Sequence, residues 1–135
     1  MPTLPSHVRA FLDVPRFATI ATTDDDGAPR QAVIWFLLDG DTVVINSLEG
    51  RRWPSNLRRD PRISLAVTDA SDQTWVGLTG TVEVVEDQAR AQADIAAMAR
   101  RYDDPEEAEA VIASRFTKQR RVSFRLTVTG IHDHL

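Results

Sequence analysis

The sequence predicts a mainly β fold with flanking helices, in which six antiparallel strands roll into a small closed or partly closed barrel. Three observations carry this prediction. Val76, Leu78, Val82 and Val84 alternate with Thr79, Thr81 and Glu83, the period of a half-buried strand. Asp39-Gly40-Asp41 stands between two β-rich runs, as in a tight hairpin. Helical spacing of any length appears only between residues 87 and 114, late in the chain and before one last strand.

The elements follow in order. Ser6 is placed to cap a short helix with Val8, Phe11 and Leu12 on one side, and Pro15 ends it. Residues 16–23, rich in β-formers, form the first strand, and Asp24-Asp25-Asp26-Gly27 a turn. Residues 30–38 read as one apolar second strand, and residues 42–47 as the third. Trp53-Pro54-Ser55-Asn56-Leu57 opens a short helix with Pro54 at its first position, where no amide hydrogen is needed. Asp60-Pro61 stops it, because the residue before proline is pushed out of helical geometry. Ile63, Leu65 and Val67 share one face of the fourth strand; Gly77 and Gly80 inside the fifth signal a bulge or a close approach. Residues 87–102 are helical, with Ile95, Met98 and Tyr102 at helical spacing. A second helix starts at Asp104-Pro105, with Glu107 at the capping-box position. Residues 121–131 close the chain as the sixth strand, with Val122, Phe124, Leu126 and Val128 inward. The 135 residues show no repeat, no linker and no low-complexity tract, so one domain, residues 1–135, is expected.

Composition excludes several function classes. The net charge of −4 argues against a general nucleic-acid binder. With no cysteine there is no disulfide, thiol nucleophile or cysteine-bound metal. The N-terminus has no signal-peptide pattern, and no apolar run approaches the roughly 18 residues that span a bilayer. A soluble cytoplasmic protein is expected.

Against that acidic background, residues 49–62 hold five arginines. Arg58 and Arg59 suit the C-terminal end of the short helix, where cations are favoured by about 0.3–1 kcal/mol. Arg51 and Arg52 stand at its positive end and repel each other. An anion bound there removes both penalties and uses the free amide hydrogens of the helix start. Neither a P-loop nor a Rossmann glycine pattern is present.

Residues 50–70, GRRWPSNLRRDPRISLAVTDA, followed by WVGLTGTVEVVED, resemble the pyridoxamine-phosphate-oxidase-like split barrels of the FMN-binding type, in particular their branch that uses the deazaflavin coenzyme F-420. The resemblance extends from about Phe11 to Ile131. It implies a homodimer with two flavin or deazaflavin sites at its interface, and hydride transfer to or from a small organic substrate. It points to Arg51 and Arg52 as the phosphate grip, with Ser55 and Asn56 as polar neighbours. Gln31, Ala32, Val33, Ile34 and Trp35 lie where the family's second strand meets the ring system. Many relatives carry lysine where this chain has Trp53, which leaves the grip to the two arginines. Trp53 itself stands open between stacking on an arginine, walling the pocket, packing across the dimer, and burial under the short helix. Trp35 and Trp75 are core residues by default and candidates for the ring or substrate pocket by resemblance. Arg121 is a second cofactor contact by the same route; with Lys118 and Arg120 it also suits a charged strand edge.

The cofactor implied is coenzyme F-420, with FMN as the alternative; the longer acidic tail of F-420 would profit from Arg58 and Arg59. A cofactor-binding protein without turnover and a module meeting an acidic partner are the readings from other classes. Catalytic side chains are not identifiable, which suits a reaction whose chemistry the cofactor carries. No metal is expected: Asp24, Asp25 and Asp26 lack calcium-loop spacing, and His132-Asp133-His134 lies at a terminus, where chains fray. His7 reads as a surface or capping residue.

Overall fold

Seven strands form the sheet, one more than the sequence pattern suggests, because the apolar run after Arg30 is broken in the middle. The computed structural model describes residues 3–135. Its elements are α1 (Ser6–Asp13), β1 (Ala18–Thr23), β2 (Pro29–Ile34), β3 (Leu37–Asp39), β4 (Thr42–Leu48), α2 (Arg52–Arg59), β5 (Arg62–Asp69), β6 (Thr74–Val85), α3 (Gln88–Tyr102), α4 (Pro105–Ser114) and β7 (Arg121–His134), with one 3₁₀ turn at Phe116–Lys118. Trp35 and Phe36 separate β2 from β3.

That break determines the architecture. The strand order is β2-β1-β5-β6-β7-β4-β3, every pair antiparallel, so β2 and β3 lie at opposite edges of one sheet. Strands are about 4.8 Å apart, so a flat sheet would separate these edges by roughly 29 Å. The three residue steps from Ile34 to Leu37 reach at most about 11 Å. The sheet therefore curls into a half-barrel, and the Trp35-Phe36 corner connects its two edges.

The inward faces fill the resulting barrel. Ile20, Ile45, Leu65, Val67, Val76, Leu78, Phe124 and Leu126 are all buried in one cluster. Helix α1 adds Val8 and Leu12 to it, and α2 adds Trp53 and Leu57. Each such side chain contributes about 1.5–3 kcal/mol on burial. A second, smaller cluster lies outside the barrel, where Val44 of β4 meets Ile95, Met98 and Ala99 of α3, Ala108 of α4, and Phe116. β4 is thus buried on both faces. Its outward residues, Val44 and Asn46, run beneath the helices.

Gly80 confirms the expected close approach: a Cβ there would lie 2.0 Å from the Thr127 carbonyl oxygen. Beside it the β6–β7 register shifts, with Thr79 opposite Gly130 but Gly80 opposite Val128, so Thr129 is the extra residue of a bulge. Helix starts differ in detail from the sequence pattern. Ser6 is not the α1 cap but its first residue, after Pro5, and makes no capping bond. Pro54 is third in α2 rather than first, still within the turn whose amides need no helical acceptor. Asp104 and Pro105 start α4 as expected, without a side-chain cap bond. The C-terminal residues do not fray: Trp75, Val76 and Gly77 pair with His134, Asp133 and His132.

Candidate functional site

A cleft of about 340 Å³ opens where the broken strand, the start of α2 and the α3–α4 layer converge. Phe17, Val33, Ile34 and Trp35 form one wall, and Ile95, Met98 and Phe116 the apolar floor. Arg51, Arg115, Arg121, Asn46 and Gln119 supply its polar groups. A cleft of this volume that sets apolar and aromatic side chains against directed polar groups suits a small molecule.

The wall is stiffened from behind. Trp35 stacks on Tyr102 with ring centroids 5.2 Å apart and planes 4° from parallel; Phe17 stacks on the same ring at 5.9 Å and 11°. The Tyr102 hydroxyl donates to the Arg16 carbonyl at 2.6 Å and accepts from the Phe36 amide at 3.3 Å. Side chains held in this way present an aromatic surface without having to be ordered when a ligand arrives.

The electrostatics of the cleft are one-sided. Three arginines line it and no carboxylate does. Arg51 is the N-cap residue of α2, its backbone extended after the positive φ of Gly50. Among the described residues it makes no ion pair and no side-chain hydrogen bond. Arg121 is only 6% exposed. Its Nε donates to Asn46 Oδ1 at 3.0 Å and its Nη1 to Gln119 Oε1 at 2.7 Å, both neutral acceptors. Burial, and then the charge of Arg51, push its pKa down to about 10, so it stays charged at neutral pH. A buried cation without a counter-ion is costly. An anion in the cleft removes that cost.

A second depression, which shares Arg51 with the cleft, is lined by Gly50, Arg51, Arg52, Ser55, Asn56, Arg59, Asp24 and Asp25. Here the cations other than Arg51 are already engaged. Arg52 Nη1 lies 3.5 Å from Asp24 Oδ2, and Arg30 Nε 3.1 Å from it. Asn56 Nδ2 donates to Asp24 Oδ1 at 2.9 Å and to Thr22 Oγ1 at 3.1 Å. The Asn56 bond and then Arg30 and Arg52 hold the Asp24 carboxyl below its ordinary range, against the opposing effect of burial. Arg59 donates to the Thr23 carbonyl and to Asn56 Oδ1.

The expected site residues therefore divide. Val33, Ile34, Trp35 and Arg121 line the cleft, Arg52, Ser55 and Asn56 face the second depression, and Arg51 lines both. Arg52 shares the second depression with Arg51 and lies 3.5 Å from Asp24, whereas Arg121, from the far end of the chain, joins Arg51 in the cleft. Arg58 is spent on Glu49 and Glu86, at 2.8 and 2.9 Å. Gln31 is exposed on β2, and Ala32 packs against the barrel core. Trp53 is a core residue, 6% exposed and 5.8 Å from the Phe124 ring, because the second residue of α2 points into the barrel. Trp75 lines a separate groove with His132, on which it stacks at 4.5 Å. Asp133 bonds His7 at 2.5 Å, and no cluster of metal-ligating side chains occurs among the described residues.

The residues that the pattern did not single out are Phe17, Asn46, Ile95, Met98, Arg115, Phe116 and Gln119. Asn46 carries the one legible signal, a polar residue in the apolar run Val43-Val44-Ile45.

The sequence profile of pyridoxamine 5'-phosphate oxidase matches residues 4–135, nearly the whole chain. The chain belongs to the pyridoxamine 5'-phosphate oxidase family. Solved structures agree with that membership. An F-420 reductase superposes with a TM-score of 0.78 at 25% identity, covering 96% of this chain and 98% of its own. A conserved hypothetical protein from Mycobacterium tuberculosis gives 0.74 at 22% identity, covering 98% and 87%. The heme storage protein of Vibrio cholerae shares the fold, with a TM-score of 0.72 at 18% identity, covering 98% and 95%. No curated protein sequence matches the chain. The family includes oxidoreductases and binds flavins or related cofactors, and no helix among the described residues is long and apolar enough to cross a membrane.

Proposed function

We propose that the chain is an oxidoreductase that binds the deazaflavin coenzyme F-420 in the cleft between Trp35 and Arg121 and serves hydride transfer with a small organic substrate. One observation carries the reading: a stiff aromatic wall faces two arginines, Arg51 and Arg121, that have no carboxylate partner. A phosphorylated tricyclic cofactor presents the complementary pair, a flat apolar ring and an anion. The residues present fit such a group.

In this reading Arg51 and Arg121 hold the phosphate by charge-assisted hydrogen bonds. Val33, Ile34 and Trp35 fix the plane of the ring, and Phe17, Ile95 and Met98 keep water from it. When bound, the deazaflavin supplies the hydride chemistry. No carboxylate or histidine lines the cleft, so the chain's contribution is binding, orientation and exclusion of water rather than proton transfer. The likeness to an F-420 reductase supports F-420 over FMN, which would use the same two cations. The exposed Phe17 and Val33 beside the cleft, 60% and 67% accessible, support a homodimer whose partner completes the site. Arg58 and Arg59, already bonded within the chain, offer the acidic tail of F-420 little.

The test is fluorescence titration of purified protein with F-420, FMN and FAD. F-420 is expected to bind most tightly. Failure of all three to bind at micromolar concentration would overturn the reading.

A further inference from the structure

We infer that Asn46 and Gln119 are positioning residues that keep Arg121 aimed into the cleft with its charge uncompensated, making an anion the required content of the site. The inference rests on the anion-binding part of the reading above and not on the identity of the cofactor.

The barrel topology builds the arrangement. Asn46 of β4 pairs with Ser123 of β7, and Leu48 with Arg121, so Asn46 and Arg121 are diagonal neighbours on the outer face beneath α3. Both amide hydrogens of Asn46 are committed: Nδ2 donates to the Ala91 carbonyl of α3 at 2.9 Å and to Ser123 Oγ at 2.8 Å. That sets the amide orientation, since the flipped form would place its NH₂ group against a guanidinium. Oδ1 is left to accept from Arg121 Nε. The Ser123 hydroxyl passes its own hydrogen to Asp94 Oδ2 at 2.7 Å, so the nearest acid in this network reaches Arg121 only through two neutral groups.

Gln119 holds the other side. Its carbonyl accepts from Gln92 Nε2 at 2.8 Å and its amide donates to the Phe116 carbonyl at 3.1 Å, which fixes the backbone from which Oε1 reaches Arg121 Nη1. The Arg121 amide in turn donates to Gln88 Oε1 at 2.9 Å. Arg121 Nη2 makes no hydrogen bond among the described residues, and Arg121 lines the cleft. Two carboxamides thus do what two carboxylates of the same shape would do for direction, but without neutralising the cation. Replacing either by its acid would supply internally the charge that the ligand otherwise brings.

The experiment follows the Arg121 Nε–H resonance in ¹⁵N-labelled protein during titration with inorganic sulfate, an anion whose charge is constant across neutral pH. Wild type is expected to show a saturable shift. Gln119→Glu, a half-exposed and isosteric change, should weaken sulfate about tenfold or more with its melting temperature unchanged or raised. Asn46→Asp should weaken sulfate similarly. It places an oxygen against the Ala91 carbonyl, so if it does not fold, Gln119→Glu decides alone. A purely structural role for Gln119 would instead lower the melting temperature and leave sulfate affinity unchanged. That result, or a wild-type resonance unmoved by sulfate, overturns the inference. Sulfate binding with the expected loss in Gln119→Glu, but no binding of F-420 or FMN, would refute the proposed function and leave this inference standing.

Discussion

At the scale of single residues, the same charge does different work according to what stands beside it. Arg51 and Arg52 are adjacent in sequence, equivalent by charge and both at the second depression, yet only Arg51 also lines the Trp35 cleft and only Arg52 has a carboxylate partner. Asp24 decides the difference: it is 8% exposed and gathers Asn56, Arg30 and Arg52 around one carboxylate. Its pKa is lowered in the folded state. The stability it contributes is therefore complete above the unfolded value near 3.9 and is lost as the pH falls through the lower folded value. Asp24→Asn should accordingly flatten the acid limb of the stability curve below about pH 4. Chemical denaturation at pH 3 and pH 6 checks this; an equally steep loss in the variant would contradict it. The second arginine of the grip, Arg121, lies 70 positions from Arg51 in the sequence. No local pattern links the two, and only the β4–β7 register brings them together.

At the scale of elements, most strands and helices were legible because they rest on short-range rules. The alternation in β6, the Asp39-Gly40 hairpin and the Pro61 stop of α2 all appear where local chemistry places them. The break at Trp35-Phe36 was not legible, since a continuous apolar run has no polar alternation to reveal a corner. For the same reason Trp35 could be placed on a strand but not aimed. Trp53 was open between site and core, and its neighbours decide it: it packs on Phe124 inside the barrel. Trp53→Lys should lower stability by about 3–5 kcal/mol, as large aromatic truncations do, while the folded fraction binds cofactor normally. Urea unfolding with a parallel titration tests both halves, and tighter, more salt-dependent binding would instead place the ring at the anion site. Gly80→Ala should also destabilise, because its Cβ would meet the backbone of β7 rather than a movable side chain. A melting temperature equal to wild type would show that β6 and β7 can separate there.

At the scale of the whole molecule, a half-barrel whose edges are linked by one broken strand places a stiff aromatic wall against a cation-rich corner. Phe17 and Val33 stand at that wall with most of their surface exposed, an arrangement that a second copy would cover. Light scattering is expected to give twice the 15.1 kDa of one chain, and Val33→Asp to shift it toward the monomer with loss of cofactor binding. A wild-type monomer at micromolar concentration would rule out the shared site. The central claim, that the ligand's anion lies in the Trp35 cleft and not in the depression beyond α2, is tested most directly by titrating F-420 into Arg51→Ala, Arg121→Met and Arg52→Ala side by side. Loss of a charged hydrogen bond costs about 1.5–3 kcal/mol, or roughly ten- to a hundredfold in affinity. That loss is predicted for Arg51→Ala and Arg121→Met, with Arg52→Ala within about threefold of wild type because Asp24 already holds its charge. An Arg52→Ala loss equal to or greater than that of Arg121→Met would contradict the account.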